Sequence, residues 1–145
     1  MYLYDQPTIK PKTMIKITEL RLGNYVYAGN KIERVLEIYP DSITTDSYTH
    51  IFDFLPVELT PDILEAAGFG VNKDNSFGYI NENEGILIEL GDFYEDDGRA
   101  VFYYNLPDTD NSTCIAYCKY LHHLQNLYFA LTGDEIQIDI TKLNK

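Results

Sequence analysis

Positive charge is scarce in this sequence. Only 11 Lys and Arg residues stand against 23 Asp and Glu residues, which gives a formal net charge of −12 at pH 7. A strongly negative protein repels phosphate backbones and anionic membranes unless its basic residues gather in one patch. The densest basic run, Lys10 to Lys12, lies in a predicted tail. The charge therefore argues against direct nucleic-acid binding.

Long apolar runs and an export signal are missing as well. No stretch approaches the roughly 20 apolar residues of a membrane helix. The opening segment "MYLYDQPTIKPKTM" lacks the basic-then-apolar order of a signal peptide. There are two cysteines in the chain, and few cysteines without an export signal are typical of a reducing compartment. We therefore expect a cytoplasmic protein without membrane contact.

Apolar residues are plentiful, at 45% of the chain, so a folded core is expected rather than disorder. We predict an extended tail over 1–13 and a single compact domain over 14–145. Within that domain, a β unit covers 15–52 and an α+β unit covers 58–141. The predicted fold class is α+β.

Short strands are predicted in the N-terminal unit. Its apolar runs are separated by the turn pairs Gly29-Asn30 and Pro40-Asp41, a spacing typical of hairpins. This layout predicts either a small SH3-like β-barrel or a curled sheet.

A short helix is predicted near 60–68. Thr60 can cap its first turn and Pro61 suits its first position, whereas Gly68 is a typical C-terminal stop. An antiparallel β-meander over 77–118 follows, with turn residues at 83–85 and 96–98.

A longer helix over 120–132 is followed by Gly133, which favours a helix end. After it, isoleucines alternate with polar residues. This alternation predicts a final half-buried strand over 135–140.

Cys114, Cys118 and His122 could ligate zinc if one helix carried all three, because four-residue spacing aligns them. However, the residues around both cysteines favour a strand, and a helix start near Lys119 breaks the alignment. We therefore predict no metal site and no cofactor. A metallo-hydrolase built on these three residues is the enzymatic alternative.

Acidic residues dominate the stretch from Glu82 to Asp110, where Arg99 is the single basic residue. The simplest interpretation is a set of solvated hairpin turns. The alternative is an acidic mimic of a phosphate backbone that occupies a basic groove. No nucleophile motif such as G-x-S-x-G is present, so no catalytic residue is predicted.

The stretch "YLHHLQNLYFALTG", from Tyr120 to Gly133, has no formally charged residue apart from its histidines. On a helical wheel, its leucines and tyrosines form the core-facing arc. The favoured interpretation is a helix between the two β units, with the polar groups of the opposite face hydrogen-bonded internally. The alternative is that this face binds a ligand or partner, because aromatic side chains with little charge are typical of interface cores. The predicted binding residues on that interpretation are His122, Gln125, Asn126 and Phe129.

Three segments, "ELRLGNYVYAG", "LPVELTPDILEAAGF" and "YLHHLQNLYFALTGDEI", resemble a group of small uncharacterised proteins from Bacteroidota genomes, prophages and phages. The resemblance covers about half of the chain and leaves out Val71 to Lys119. It implies a small accessory protein of a phage or mobile element in the cytoplasm of a bacterial host. No catalytic or binding residue is established for the group.

The leading hypothesis is a non-enzymatic protein that binds a protein partner and inhibits a host defence or replication factor. The alternative is a protein that sequesters a nucleotide signal, for which Arg21, Lys31, Arg34 and Arg99 are the available cations. The acidic mimic is the third hypothesis, and a homodimer through the Phe129 face remains open.

Overall fold

The computed structural model describes residues 15–47, 50–71, 77–81, 86–94, 99–105 and 112–144. Within these ranges, the side chains are described except those of residues 70–100 and 102–116. Across the described residues, two antiparallel sheets and two α-helices give the predicted α+β class. The strands are β1 (Tyr25–Ala28), β2 (Lys31–Ile38), β3 (Ile43–Thr45), β4 (His50–Ile51), β5 (Gly70–Val71), β6 (Phe77–Asn81), β7 (Ile86–Tyr94), β8 (Arg99–Asn105) and β9 (Ser112–Cys118). The helices are α1 (Pro61–Ala66) and α2 (Leu121–Thr132), with 3-10 turns at Ile17–Glu19 and Ile140–Lys142.

Strands β1 to β4 form one antiparallel sheet in chain order. Gly29 and Asn30 make the turn between β1 and β2, where Ala28 pairs with Lys31. Gly29 has a φ of 67°, a backbone angle that glycine adopts without strain. The predicted hairpin is therefore confirmed at this turn. A small core lies against the sheet and contains Ile15, Leu20, Val26, Val35, Ile43 and Phe54.

The SH3-like barrel is not confirmed, because this sheet is not closed and β1 and β4 lie at its edges. One isolated antiparallel bridge joins Tyr27 of β1 to Leu55, just after β4. The two residues exchange backbone hydrogen bonds of 2.8 and 3.1 Å. A single bridged pair holds the chain against β1, whereas barrel closure needs a continuous ladder of hydrogen bonds around the sheet.

Strands β5 to β9 form the second antiparallel sheet, also in chain order. Strands β6 to β9 confirm the predicted meander over 77–118, and β5 adds a short edge strand. The register shifts once along β7–β8 and once along β8–β9. The predicted turns at 83–85 and 96–98 lie outside the described residues, as does the predicted tail over 1–13.

Helix α1 confirms the short helix predicted near 60–68. The side-chain oxygen of Thr60 accepts a hydrogen bond of 3.2 Å from the N–H of Ile63, and Pro61 occupies the first helical turn. After the helix, Gly68 has a φ of 92°. The start and end signals in the sequence therefore act as predicted.

Helix α2 confirms the predicted C-terminal helix and contacts both β1 and β9. Gly133 ends it in the left-handed region, with a φ of 77°, and donates its N–H to the carbonyl of Phe129. Leu121, Leu124 and Tyr128 are buried in the larger core, which also contains residues of α1. The helix thus contacts one strand of each sheet.

The predicted final strand over 135–140 is wrong, since residues 135–139 pair with no strand in the described chain. Ile136 is buried, so the alternation correctly predicted one-sided burial. The N–H of Asp139 donates instead to the carbonyl of Ala66 at 2.8 Å. Alternation indicates which side chains face the core, whereas a strand also needs a neighbouring ladder.

Among the described helices, none combines the length and the apolar character needed to cross a bilayer. The predicted division of 14–145 into two β-containing units of one domain stays a prediction.

Candidate functional site

The charge-free side of α2 faces the chain that leads into β1. Gln125 is 1% exposed. Its side-chain oxygen accepts the N–H of Tyr25 at 2.8 Å, and its amide nitrogen donates to the carbonyl of Gly23 at 3.0 Å. The amide thus provides these partly buried backbone groups with hydrogen bonds that water would otherwise supply.

Asn126 extends the same set of hydrogen bonds. Its amide nitrogen donates to the carbonyl of Glu19 at 3.0 Å. Its side-chain oxygen accepts from Asn24 Nδ2 at 2.9 Å and from Arg21 Nε at 3.2 Å. We call Asn24, Gln125 and Asn126 the amide cluster. This cluster fixes α2 to residues 19–25 and gives its neutral side chains an intramolecular role.

Phe129 is the most exposed of the four predicted binding residues, at 39%. The guanidinium carbon of Arg21 lies 4.2 Å from the centre of its ring. Two nitrogens of the same guanidinium donate to the carboxylate of Glu135. A cation–π contact at an exposed site contributes about 0.5–1 kcal/mol. Arg21 therefore covers part of the ring and leaves its remaining surface accessible.

Two histidines at the start of α2 meet a carboxylate from the first 3-10 turn. His123 Nε2 donates to Glu19 Oε1 at 2.9 Å, whereas His122 Nε2 lies 3.9 Å from the same oxygen. The longer distance is outside hydrogen-bonding range. The other carboxylate oxygen accepts the N–H of Lys16 at 3.0 Å. We call Glu19, His122 and His123 the imidazole cluster.

His122 is 1% exposed, and neither of its ring nitrogens has a hydrogen-bond partner. Its ring is stacked with that of Tyr120, at 5.8 Å between centres, and lies 4.3 Å from the ring of His123. Leaving a buried polar group unpaired typically costs about 1–3 kcal/mol. The deep burial of His122 therefore differs from that of Gln125, whose polar atoms are paired.

Charge states in the imidazole cluster follow from these surroundings. Burial lowers the pKa of His122 to about 4, and His123 adds to this lowering while Glu19 opposes it. The hydrogen bond from His123 holds the pKa of Glu19 below its usual value, although desolvation opposes it. At neutral pH, a neutral His122 imidazole therefore lies beside an ionised carboxylate.

The cysteines lie on a different element from His122, so the predicted break in their helical alignment is confirmed. Cys114 and Cys118 belong to β9, whereas His122 belongs to α2. Burial raises the pKa of the Cys118 thiol to about 12. The thiol is therefore protonated at neutral pH, and the thiolate that binds zinc is disfavoured. The side chain of Cys114 is not described.

The acidic stretch from Glu82 to Asp110 falls mostly outside the described residues. Residues 82–85, 95–98 and 106–111 are not described, and the side chains of β7 are not described either. The choice between solvated turns and an acidic mimic therefore stays open.

Comparisons with protein-family models, with curated proteins and with solved structures found no match for this chain. The resemblance to the phage and Bacteroidota group therefore stays a prediction.

Sequence reasoning identified the polar residues of α2 but missed the segment that they contact. Glu19 lies 104 positions before His123, and Arg21 lies 114 positions before Glu135. No spacing rule connects residues so far apart. The available signal was the lack of charge on α2, which is expected when a second segment covers the helix.

Proposed function

We propose that this protein is a non-enzymatic accessory protein that binds a basic protein partner. The observation that carries the proposal is the net charge of −12. Such a field accelerates encounter with a positively charged surface and disfavours acidic competitors. The setting implied by the resemblance, a phage or mobile element acting on a host defence or replication factor, belongs to the same proposal.

The two arginines whose side chains are described, Arg21 and Arg34, already form ion pairs with carboxylates. Arg21 pairs with Glu135, and Arg34 lies 3.6 Å from Asp46 in an exposed ion pair. Because both guanidiniums already face carboxylates, they give no support to a phosphate pocket. A protein partner is therefore favoured over the nucleotide signal considered from the sequence.

Phe129 is the best candidate for an apolar contact on the proposed binding surface. Gln125 and Asn126 on the same helix face are hydrogen-bonded within the chain and are therefore not available to a partner. The ring of Phe129 remains partly exposed, and aromatic residues are enriched among the side chains that dominate binding energy. A partner that contacts this ring would also meet Arg21, which lies over the ring, and Glu135, which is paired with Arg21.

The test begins with affinity capture from a lysate of the bacterial host, followed by purification of the captured protein. We expect the purified pair to bind with a dissociation constant that rises at least tenfold between about 50 and about 500 mM salt. Phe129→Ser should weaken the binding by about tenfold or more. Phe52→Ser, which changes another exposed aromatic residue, is the matched control.

An affinity that is the same at both salt concentrations would contradict the proposed electrostatic recognition. A chain that captures no partner and stays a monodisperse monomer would contradict protein binding itself. Equal weakening by the two serine variants would remove Phe129 from the proposed surface.

A further inference from the structure

The imidazole cluster has a feature that the internal packing of α2 does not explain. The imidazole of His122 is buried, yet both ring nitrogens lack hydrogen-bond partners. The rest of the neutral face is paired: Gln125 and Asn126 bond to the segment around Gly23. A buried, unpaired polar side chain beside two other ligating groups calls for an ion or an ordered water as its partner.

We propose that Glu19, His122 and His123 form a binding site for a divalent transition-metal ion of the zinc class. One ligand atom from each residue lies within 4.8 Å of the other two. The set of two imidazoles and one carboxylate matches a known zinc-binding combination, with a further coordination position left for water. The proposal is independent of the protein partner proposed above.

The distances suit a small ion after a modest adjustment. Zinc bonds of about 2.1 Å place neighbouring ligands of a tetrahedral site about 3.4 Å apart. Glu19 Oε1 lies 2.9 Å from His123 Nε2 and 3.9 Å from His122 Nε2, and these two separations bracket that value. The ring of His123 is 35% exposed and can rotate to bring the two imidazole nitrogens closer.

The carboxylate is already oriented for this role. One oxygen of Glu19 accepts the N–H of Lys16, so the other faces the imidazoles. The backbone carbonyl of Glu19 is fixed to α2 by the amide of Asn126. Hydrogen bonds that orient a ligating group are a regular feature of metal sites, because they fix the ligand before the ion binds.

Metal binding also changes where the histidine ligands carry their protons. In the metal-free cluster, His123 carries a proton on Nε2 and donates a hydrogen bond from it to Glu19. An ion that binds Nε2 replaces that proton, and the neutral ring then carries its proton on Nδ1. The ring nitrogens of His122 have no hydrogen-bond partner that an ion would need to displace.

Zinc is favoured over calcium or magnesium by the donor atoms. Imidazole nitrogen suits zinc and neighbouring transition metals, whereas calcium and magnesium prefer oxygen ligands. Cysteine is the competing ligand, and Cys118 is disfavoured by the raised pKa of its thiol.

The experiment uses the full, untagged chain after treatment with a chelator. Competition against a fluorescent zinc chelator should give one ion per chain, with a dissociation constant of about 1 μM or tighter. Glu19→Gln and His123→Gln should each weaken binding by about tenfold to a hundredfold. Both positions are partly exposed, at 38% and 35%, so these variants are expected to fold.

His50→Gln is the matched control, because His50 is the remaining histidine of the chain and is not part of the cluster. Its ring is stacked with Tyr39 at 4.8 Å. This variant should bind zinc as the unchanged chain does. Circular dichroism of all variants provides the check on folding.

Cobalt(II) gives a second readout that separates histidine from cysteine ligation. Visible d–d bands without a thiolate-to-cobalt charge-transfer band support the imidazole cluster. A thiolate band would overturn the proposal and favour Cys114 and Cys118. Absence of stoichiometric zinc binding, or unchanged affinity in both cluster variants, would also overturn it and leave an ordered water as the partner of His122.

Discussion

The amide cluster and the imidazole cluster take their helical members from residues 122–126 of α2 but are built in opposite ways. Gln125 is buried with both ends of its side chain hydrogen-bonded, whereas His122 is equally buried with neither nitrogen paired. Burial alone therefore does not distinguish a structural polar residue from a ligand-binding one. The hydrogen-bond partners make the distinction, because a fully paired group has no free position for a ligand.

The amide cluster provides the first test of this difference. Gln125→Leu keeps the approximate volume but removes the partners of the Tyr25 N–H and the Gly23 carbonyl. We expect the free energy of unfolding to fall by about 2–3 kcal/mol, measured by urea denaturation. Gln137→Leu, at an exposed position of the C-terminal segment, is the control. A loss below about 0.5 kcal/mol in Gln125→Leu would contradict the structural role.

The imidazole cluster should produce a loss of stability in acid. Burial lowers the pKa of His122 from 6.5 to about 4 in the folded chain. Between these values the unfolded chain binds the additional proton, so the free energy of unfolding decreases as the pH falls. For the metal-free protein, we expect a loss of up to about 3 kcal/mol from pH 7 to pH 4.

Urea denaturation at several pH values checks this prediction, with His122→Leu as the comparison. Glu19 contributes in the same direction at the acidic end, since its pKa is lowered in the folded chain and its stabilisation is lost as it becomes protonated. The difference in the pH dependence of unfolding between the unchanged protein and His122→Leu isolates the contribution of His122. Parallel pH profiles would show that His122 does not titrate as its burial implies.

The smallest effect is expected when His122→Leu is measured at pH 7 without metal. Removing an unpaired imidazole also removes its desolvation penalty, and leucine fills a similar volume. We expect the free energy of unfolding to change by less than about 1 kcal/mol. A loss above about 2 kcal/mol would indicate that the imidazole has a stabilising partner, and would weaken the contrast between the two clusters.

Local signals in the sequence predicted much of the fold. Thr60, Pro61 and Gly68 define α1, and Gly133 ends α2, because caps and left-handed stops depend on a few neighbouring residues. The meander over 77–118 was predictable from its turns and apolar runs. The strand predicted over 135–140 failed because its alternation had no neighbouring ladder to join.

The candidate site was predicted less completely, for a related reason. The wheel of α2 singled out His122, Gln125, Asn126 and Phe129, but it could not show which of them would be paired. That depends on Glu19 and on the segment leading into β1, about a hundred residues earlier in the chain. A helical wheel describes the faces of one helix and contains no information about the segment that covers each face.

The sequence by itself determined the acidic charge, the α+β class, the helix ends and the absence of charged side chains along α2. These properties depend on composition, on the order of apolar and polar residues, and on short-range backbone preferences. The tertiary structure alone decided that Gln125 is bonded on both ends while His122 is buried without a partner beside Glu19. The physical reason is that hydrogen bonds and ligand geometry require atoms within a few ångströms, and folding brings these residues together from opposite ends of the chain.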